Sequence, residues 1–315
     1  MNKINIFNNE NQKLYNDFPS FFKKLFSQRV QKLSINSGFT CPNRDGTKSL
    51  NACSYCNNLS FRPFYCEPKK TITEQINEGI KFFSKKYPNK KYLAYFQSFT
   101  NTYADISILK EKYEEAISHK SIIGLVIGTR PDCVEDEILN YLSNLAKKYF
   151  ISIEYGIEST KNETLKFINR CHTFEESKDT IMRTYRKKNI YIGAHLIIGL
   201  PNENEIDILN HAKEISKLPI NFLKLHQLQI IKGTKIENQF RNNPEIFLKF
   251  SLESYINFLI NFLEILNPYI IIERFVSQSP RNLLISPRWG LKNFEIIDKI
   301  KKKLKEKNTW QGKFF

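Results

Sequence analysis

The apolar positions of the chain alternate between two spacings. Short apolar runs, QKLSINSG (31–38), YLAYFQ (92–97), IIGLVIGTR (122–130), FISIEYGIE (150–158), YIGAHLIIGLP (191–201) and NFLKLHQLQII (221–231), read as strands. They are rich in β-branched and aromatic residues and bounded by Gly, Pro or polar positions, as buried strands are. Between them the apolar residues fall three and four apart, the spacing that gathers one face of a helix. The helical stretches are 71–87, with Ile72, Ile76, Ile80 and Phe83 on one face, then 106–119, 135–149, 162–188 and 205–218. The stretch 162–188 is expected to break near Arg170 to Thr173. Beyond residue 232 the pattern changes to a long helix over 246–266, a strand over 269–275 and a basic tail.

Strands alternating with helices imply a parallel sheet. Right-handed crossovers curl it into a full or partial barrel, or lay it out as a doubly wound sheet. In either arrangement the polar residues that follow the strands gather at one edge. Here they are the loop 38–58, Gln97 to Thr102, Thr129 and Arg130, Glu154 to Glu158, Gly199 to Glu203, and Gln227 to Gln229. The same pattern divides the chain into an N-terminal segment (1–30), a core barrel (31–232) and a C-terminal extension packed on the core (233–315).

The loop after the first strand, GFTCPNRDGTKSLNACSYCNN, holds Cys41, Cys53 and Cys56. Six cysteines in 315 residues are too sparse for a disulfide scaffold, and no apolar run is long enough to cross a bilayer. The start, MNKINIFNNENQK, has no apolar core of a leader peptide. A cytoplasmic chain with no membrane partner is expected, and in that reducing compartment clustered thiols bind metal. The Cys-x2-Cys pair suits one zinc ion or two corners of an iron-sulfur cluster. A closed zinc site takes four ligands, and Cys66 would supply the fourth, making a non-catalytic RNA-binding module. Three thiolates alone leave one coordination position open, and the triplet stands at the edge where active sites assemble, which favours a catalytic cluster.

Charge adds a partner class. With 48 Lys and Arg against 32 Asp and Glu, the chain carries +16. The cations come as short clusters, among them Lys23-Lys24, Lys69-Lys70, Arg186 to Lys188 and Lys301 to Lys303, rather than as one tail. A distributed positive face suits a bulky anionic partner, nucleic acid first.

A cysteine triplet after the first strand of such a barrel resembles the radical S-adenosylmethionine (SAM) superfamily. The eleven-residue first gap resembles the branch that includes the Elongator catalytic subunit. GFTCPNRDGT (38–47), YLAYFQSFTNTYA (92–104), GTRPDC (128–133), LKFINRCHTFE (165–175), HLIIGLPNE (195–203) and LKLHQLQIIKGT (223–234) together resemble its YhcC/YtqA group. The resemblance implies a partial (β/α)6 TIM-like barrel with a C-terminal α/β extension. It implies a 4Fe-4S cluster on Cys41, Cys53 and Cys56, and SAM cleaved to a 5′-deoxyadenosyl radical. It further implies SAM contacts from Gln97, Ser98, Thr100 and Thr102 in place of a Gly-rich segment, from Glu158 to the ribose, from Arg170 to the carboxylate, and from Gly199 and Pro201 near the adenine.

For partners the resemblance implies an electron donor of flavodoxin or ferredoxin type. It also implies tRNA, with a wobble-uridine side chain as the modified group, while a small molecule or a protein remains an alternative substrate. His195 and His226 are the candidate catalytic residues, at strand positions where an inward side chain meets substrate. Arg130, Arg274, Arg281 and Arg288 are candidate anion contacts. Cys66, Cys133 and Cys171 have no role in this scheme and are expected to be structural, and Trp289 and Trp310 are expected to anchor packing.

Overall fold

The computed structural model describes residues 14–84 and 90–315. Residues 1–13 of the expected N-terminal segment, and 85–87 of the first expected helix, lie outside the described residues. Among the described residues the first element is α1 (Phe18–Phe26), a helix not expected from its polar surroundings. Asp17 caps it, Oδ1 accepting from the Ser20 amide at 2.8 Å, and Pro19 presets the helical φ. There follow β1 (Val30–Ile35), α2 (Ile72–Ser84), β2 (Lys91–Phe96), α3 (Ile106–Ser118), β3 (Ile122–Thr129), α4 (Asp136–Leu145) and β4 (Phe150–Glu158). Then come α5 (Asn162–Phe167), α6 (Phe174–Arg186), β5 (Tyr191–Ile198), α7 (Glu205–Ser216), β6 (Phe222–Gln227), β7 (Ile230–Ile231) and α8 (Lys235–Asn242). The chain ends with α9 (Leu252–Ile265), β8 (Ile271–Arg274), β9 (Leu284–Ser286) and α10 (Asn293–Glu306).

Among the described residues, seven strands pair in parallel in the order β1-β2-β3-β4-β5-β6-β8 and curl into a half-barrel. The strand of the C-terminal extension thus joins the same sheet, beside β6. The expected strand 221–231 is instead two pieces. Gln227 clasps Ser277 in both directions, Nε2 donating to its carbonyl at 2.8 Å and Oε1 accepting from its amide at 2.7 Å. That clasp turns the chain out of the sheet, and Ile230–Ile231 pair antiparallel with β9. The helical stretch 162–188 breaks between α5 and α6, because Asn169 and Cys171 both take left-handed backbone, at φ 55° and 56°.

The two faces of the strands carry different chemistry. Outward residues such as Leu125, Ile127, Ile151, Ile153, Tyr155, Leu223 and Leu225 are buried in one apolar core with the helices. Along the inner face of β4, every second residue reads Phe150, Ser152, Glu154, Gly156 and Glu158. Phe150 joins Phe21 and Phe22 of α1, Leu93, Val126, Phe222 and Ile271 in a second apolar cluster. Its rings meet edge to face, tilted or stacked, with Phe150 and Tyr191 stacked at a centroid distance of 4.7 Å. This aromatic plug closes one end of the half-barrel, and the polar residues further along the strands are left to the other.

Candidate active site

At that other end a cavity of about 240 Å³ opens, walled by the loop after β1 and by the ends of the strands. Cys41, Cys53 and Cys56 all line it, and all are free thiols. The loop is shaped by its own backbone: the Arg44 and Asp45 amides both donate to the Cys41 carbonyl, and the Cys56 amide donates to that of Cys53. Three nitrogens point at the sulfurs. Asn43 Nδ2 lies 3.4 Å from Cys53 Sγ, Arg44 Nη2 lies 3.4 Å from Cys56 Sγ, and Arg170 Nη1 lies 3.7 Å from Cys53 Sγ. Burial and the nearness of Cys53 push the Cys56 thiol up, with Arg44 opposing. Three thiols gathered in this way would bind a thiophilic metal as thiolates.

Arg170 is the centre of the next layer. It stands between the two left-handed residues Asn169 and Cys171, so the backbone presents its side chain to the cavity in a fixed direction. Its Nη2 donates to the Gly156 carbonyl at 2.6 Å and lies 3.7 Å from Glu158 Oε1. Its Nε is buried without a partner. Burial raises the Glu158 carboxyl above its ordinary range, with Arg170 and Tyr55 opposing. Behind Arg170, Arg130 forks onto Asp132 at 3.0 and 2.9 Å and donates to the Arg170 carbonyl at 2.7 Å. Thr100 also lines the cavity, and its hydroxyl is buried with no partner.

Deeper, between the cavity and the aromatic plug, lies a layer of inward charges. Lys32 of β1 and Lys224 of β6 each bridge Glu154 of β4 and Glu273 of β8. Lys224 also donates to the Tyr95 hydroxyl at 3.1 Å, and His195 Nε2 meets Glu154 Oε2 at 2.8 Å. Burial and the adjacent Lys224 bring His195 down to about 4, so its imidazole is neutral. Burial would raise Glu154, but Lys224 and Lys32 hold it well below the usual carboxylate range. Among the described residues, no three His, Cys, Asp or Glu side chains are arranged to hold a metal ion. Cys41, Cys53 and Cys56 are the thiols of the cavity wall that would hold a thiolate-ligated iron-sulfur cluster.

The radical SAM superfamily model matches residues 35–215, more than half of the chain, and the Radical_SAM C-terminal domain model matches 220–306. The chain belongs to the radical SAM superfamily. The Bacillus subtilis protein YtqA is 32% identical over 304 residues, 96% of this chain and 94% of that protein. A tRNA uridine(34) acetyltransferase of Methanocaldococcus jannaschii is 33% identical over 140 residues, 42% of this chain and 24% of that protein. Among solved structures, Elp3 of Methanocaldococcus infernus superposes with a TM-score of 0.66 at 17% identity. It covers 90% of this chain, and this chain spans 64% of its length.

As a radical SAM enzyme the chain takes a 4Fe-4S cluster and SAM as cofactors. The donor set fits them: three cavity thiols with N–H groups on their sulfurs, and beside them a guanidinium nitrogen and a hydroxyl left unpaired. A cluster held there would supply the electron for reductive cleavage of SAM, and SAM would supply the radical. Cys66 stands apart from this set. Its thiol donates to the Ser34 carbonyl at 2.7 Å, and burial pushes it up to about 12.

The cavity brings together Cys41, Cys53, Cys56, Gln97, Thr100, Glu158, Arg170, His195 and His226. Ser98, Thr102, Gly199 and Pro201 do not line it. Ser98 is buried, and the Thr102 hydroxyl is held by the Cys133 carbonyl and Thr129, each at 2.6 Å. Gly199, at φ 90°, lines a second cavity with Phe247, Leu248, Phe250 and Trp289, and Pro201 is buried in the same turn. The C-terminal extension therefore covers the segment after β5. Cys133 is half-buried, and desolvation pushes its thiol up to about 12. Trp289 packs on Tyr255 with ring centroids 4.9 Å apart. Sequence reasoning missed the charged layer. Its signal was a lone Lys at an alternate position of an apolar strand, as in QKLSI and FLKLHQ.

Proposed function

We propose that this radical SAM enzyme modifies tRNA, acting on the side chain of an anticodon uridine. The supporting observation is its similarity to a tRNA uridine(34) acetyltransferase over 140 residues, in a chain of net charge +16. In this reading Cys41, Cys53 and Cys56 hold the cluster, Arg170 pairs with the SAM carboxylate, and Glu158 meets the ribose. Arg170 supplies the fork that a carboxylate accepts in two hydrogen bonds. Asn43 and Arg44 donate to the cysteine sulfurs and offset their charge. Phe61, 39% exposed, and Phe99, over which Arg44 lies at 5.7 Å, line the cavity and offer faces on which an extruded base stacks. The aromatic plug excludes water from the far end, as radical chemistry requires. A reduced flavodoxin or ferredoxin delivers the electron.

The test is mass spectrometry of tRNA nucleosides from a strain lacking this gene. A missing modified uridine, restored by the intact chain and not by Cys53→Ala, is the expected result. An unchanged nucleoside profile refutes the tRNA assignment.

A further inference from the structure

Among the described residues, two cations that line the cavity have no carboxylate partner: Arg44, which lies against the Cys56 sulfur and the Phe99 ring, and Arg274. Arg130 is forked onto Asp132, Arg170 faces Glu158, and Lys32 and Lys224 share Glu154 and Glu273. Arg274, at the end of β8, lines the cavity, and among the described residues no carboxylate stands within ion-pair distance of it. Its Nη2 rests instead on the His226 ring, 3.2 Å from Nε2, and its Nε is buried with no partner.

Arg274 Nη2 lies over that ring, 3.2 Å from Nε2 and 3.4 Å from Nδ1, and Ser277 Oγ lies 2.5 Å from Nδ1. Burial and the adjacent guanidinium keep the ring neutral. A neutral imidazole does not balance a guanidinium, so the positive charge is left facing the cavity. The surrounding wall is stiff. Gln227 clasps Ser277, and Ser279 donates to Gln229 at 2.7 Å, so the segment after β8 is pinned to the end of β6. A planar fork in a rigid, partly desolvated wall is the hardware that recognises carboxylate and phosphate oxygens.

We infer that Arg274, backed by His226 and the pinned segment Ser277 to Ser279, is an oxyanion subsite that binds an anionic group of the substrate. This rests on the reading of the cavity as the place where substrate meets SAM. The oxyanion has two possible sources, a carboxylate carried by the group being modified or a phosphate of the polymer backbone.

The test uses the full chain with its cluster loaded, as wild type, Arg274→Gln and Arg274→Lys. Iron content and substrate-free SAM cleavage are expected to be unchanged in both variants, since Arg274 touches neither thiols nor Arg170. Turnover of tRNA from the deletion strain is expected to fall about 10- to 100-fold in kcat/KM for Arg274→Gln, and less for Arg274→Lys. If the nucleoside that accumulates gains mass on methyl esterification, the source is a carboxylate. If it does not, and the variant lowers the salt slope of tRNA binding by about one, the source is a phosphate.

A second measurement is independent of tRNA. Acetate and inorganic phosphate are titrated into the oxidised holoenzyme while the 13C resonances of the His226 ring are followed. Neutralising Arg274 moves them in the wild type and not in Arg274→Gln. Wild-type turnover by Arg274→Gln overturns the inference. So does loss of iron or of substrate-free SAM cleavage in that variant, which would make Arg274 structural. Absence of a saturable anion shift overturns it as well. A deletion strain with unchanged tRNA refutes only the tRNA assignment, and the anion titration then decides the subsite.

Discussion

One methyl group placed on Gly156 tests whether the pairing of Arg170 and Glu158 governs SAM binding. A Cβ there would lie 2.5 Å from Glu158 Oε1 and 2.6 Å from Arg170 Nη2. Ordinary contacts need about 3.5 Å, so each side chain must retreat by about 1 Å. The side chains are only 8% and 12% exposed, so the space open to that retreat is the cavity they line, where it displaces them from their present positions. The retreat breaks the 2.6 Å bond from Arg170 to the Gly156 carbonyl and turns the fork away from Cys53. Overpacking costs about 1–3 kcal/mol of stability. A misaimed charged hydrogen bond costs about 1.5–3 kcal/mol of affinity, which is roughly 10- to 150-fold in Kd. The assay is equilibrium dialysis of SAM against anaerobic, reconstituted Gly156→Ala, with iron and sulfide measured on the same sample. Retained iron and a SAM Kd at least tenfold weaker are expected. Retained iron with a Kd within about threefold of wild type would refute the reasoning.

Three further outcomes follow from the same structure. Alanine at Cys41, Cys53 or Cys56 removes the absorbance near 400 nm of thiolate-bound iron (~4 irons per chain), whereas Cys66→Ala keeps it, as iron analysis of each variant will report. Lys224→Met leaves the buried Glu154 with Lys32 as its remaining lysine partner and costs about 3–5 kcal/mol in urea unfolding; a loss below 1 kcal/mol would mean that the charged layer is adequately served by Lys32. His195 is lowered to about 4 when folded and titrates near 6.5 when unfolded, so protons favour the unfolded chain. Its contribution is complete above about pH 6.5 and is lost as the pH falls toward 4, roughly 2 kcal/mol of it by pH 5. Urea unfolding at pH 7 and pH 5 measures this, and an equal slope in His195→Gln would assign the loss elsewhere.

The parts of the site legible in the sequence are those where local chemistry contradicts its surroundings. Three thiols in a polar loop stand out because nothing in a core needs them there, whereas Thr100 and Arg170, the latter in the turn between α5 and α6, stand out only through the family resemblance. Lys32 and Lys224 were overlooked for the opposite reason. In a chain full of lysine, a single cation in an apolar strand looks like an exposed one, and only closure of the sheet brings it against Glu154 and Glu273. Helix α1 was hidden because Phe21 and Phe22 find their partners on β4 and β6, far along the chain. The segment Gly199 to Pro201 ends a strand as expected, but the C-terminal extension covers it with Phe250 and Trp289, and residue order alone does not reveal what packs on a turn.

The two outer strands of the half-barrel, β1 and β8, make no backbone ladder with each other. Lys32 on the first reaches Glu273 on the last at 2.6 Å, so a side-chain tie spans the seam. A barrel closed by a peptide ladder has its circumference fixed by strand count and shear. Here the girth is set partly by the reach of one lysine, so the width of the catalytic chamber is a side-chain dimension that a single substitution can retune.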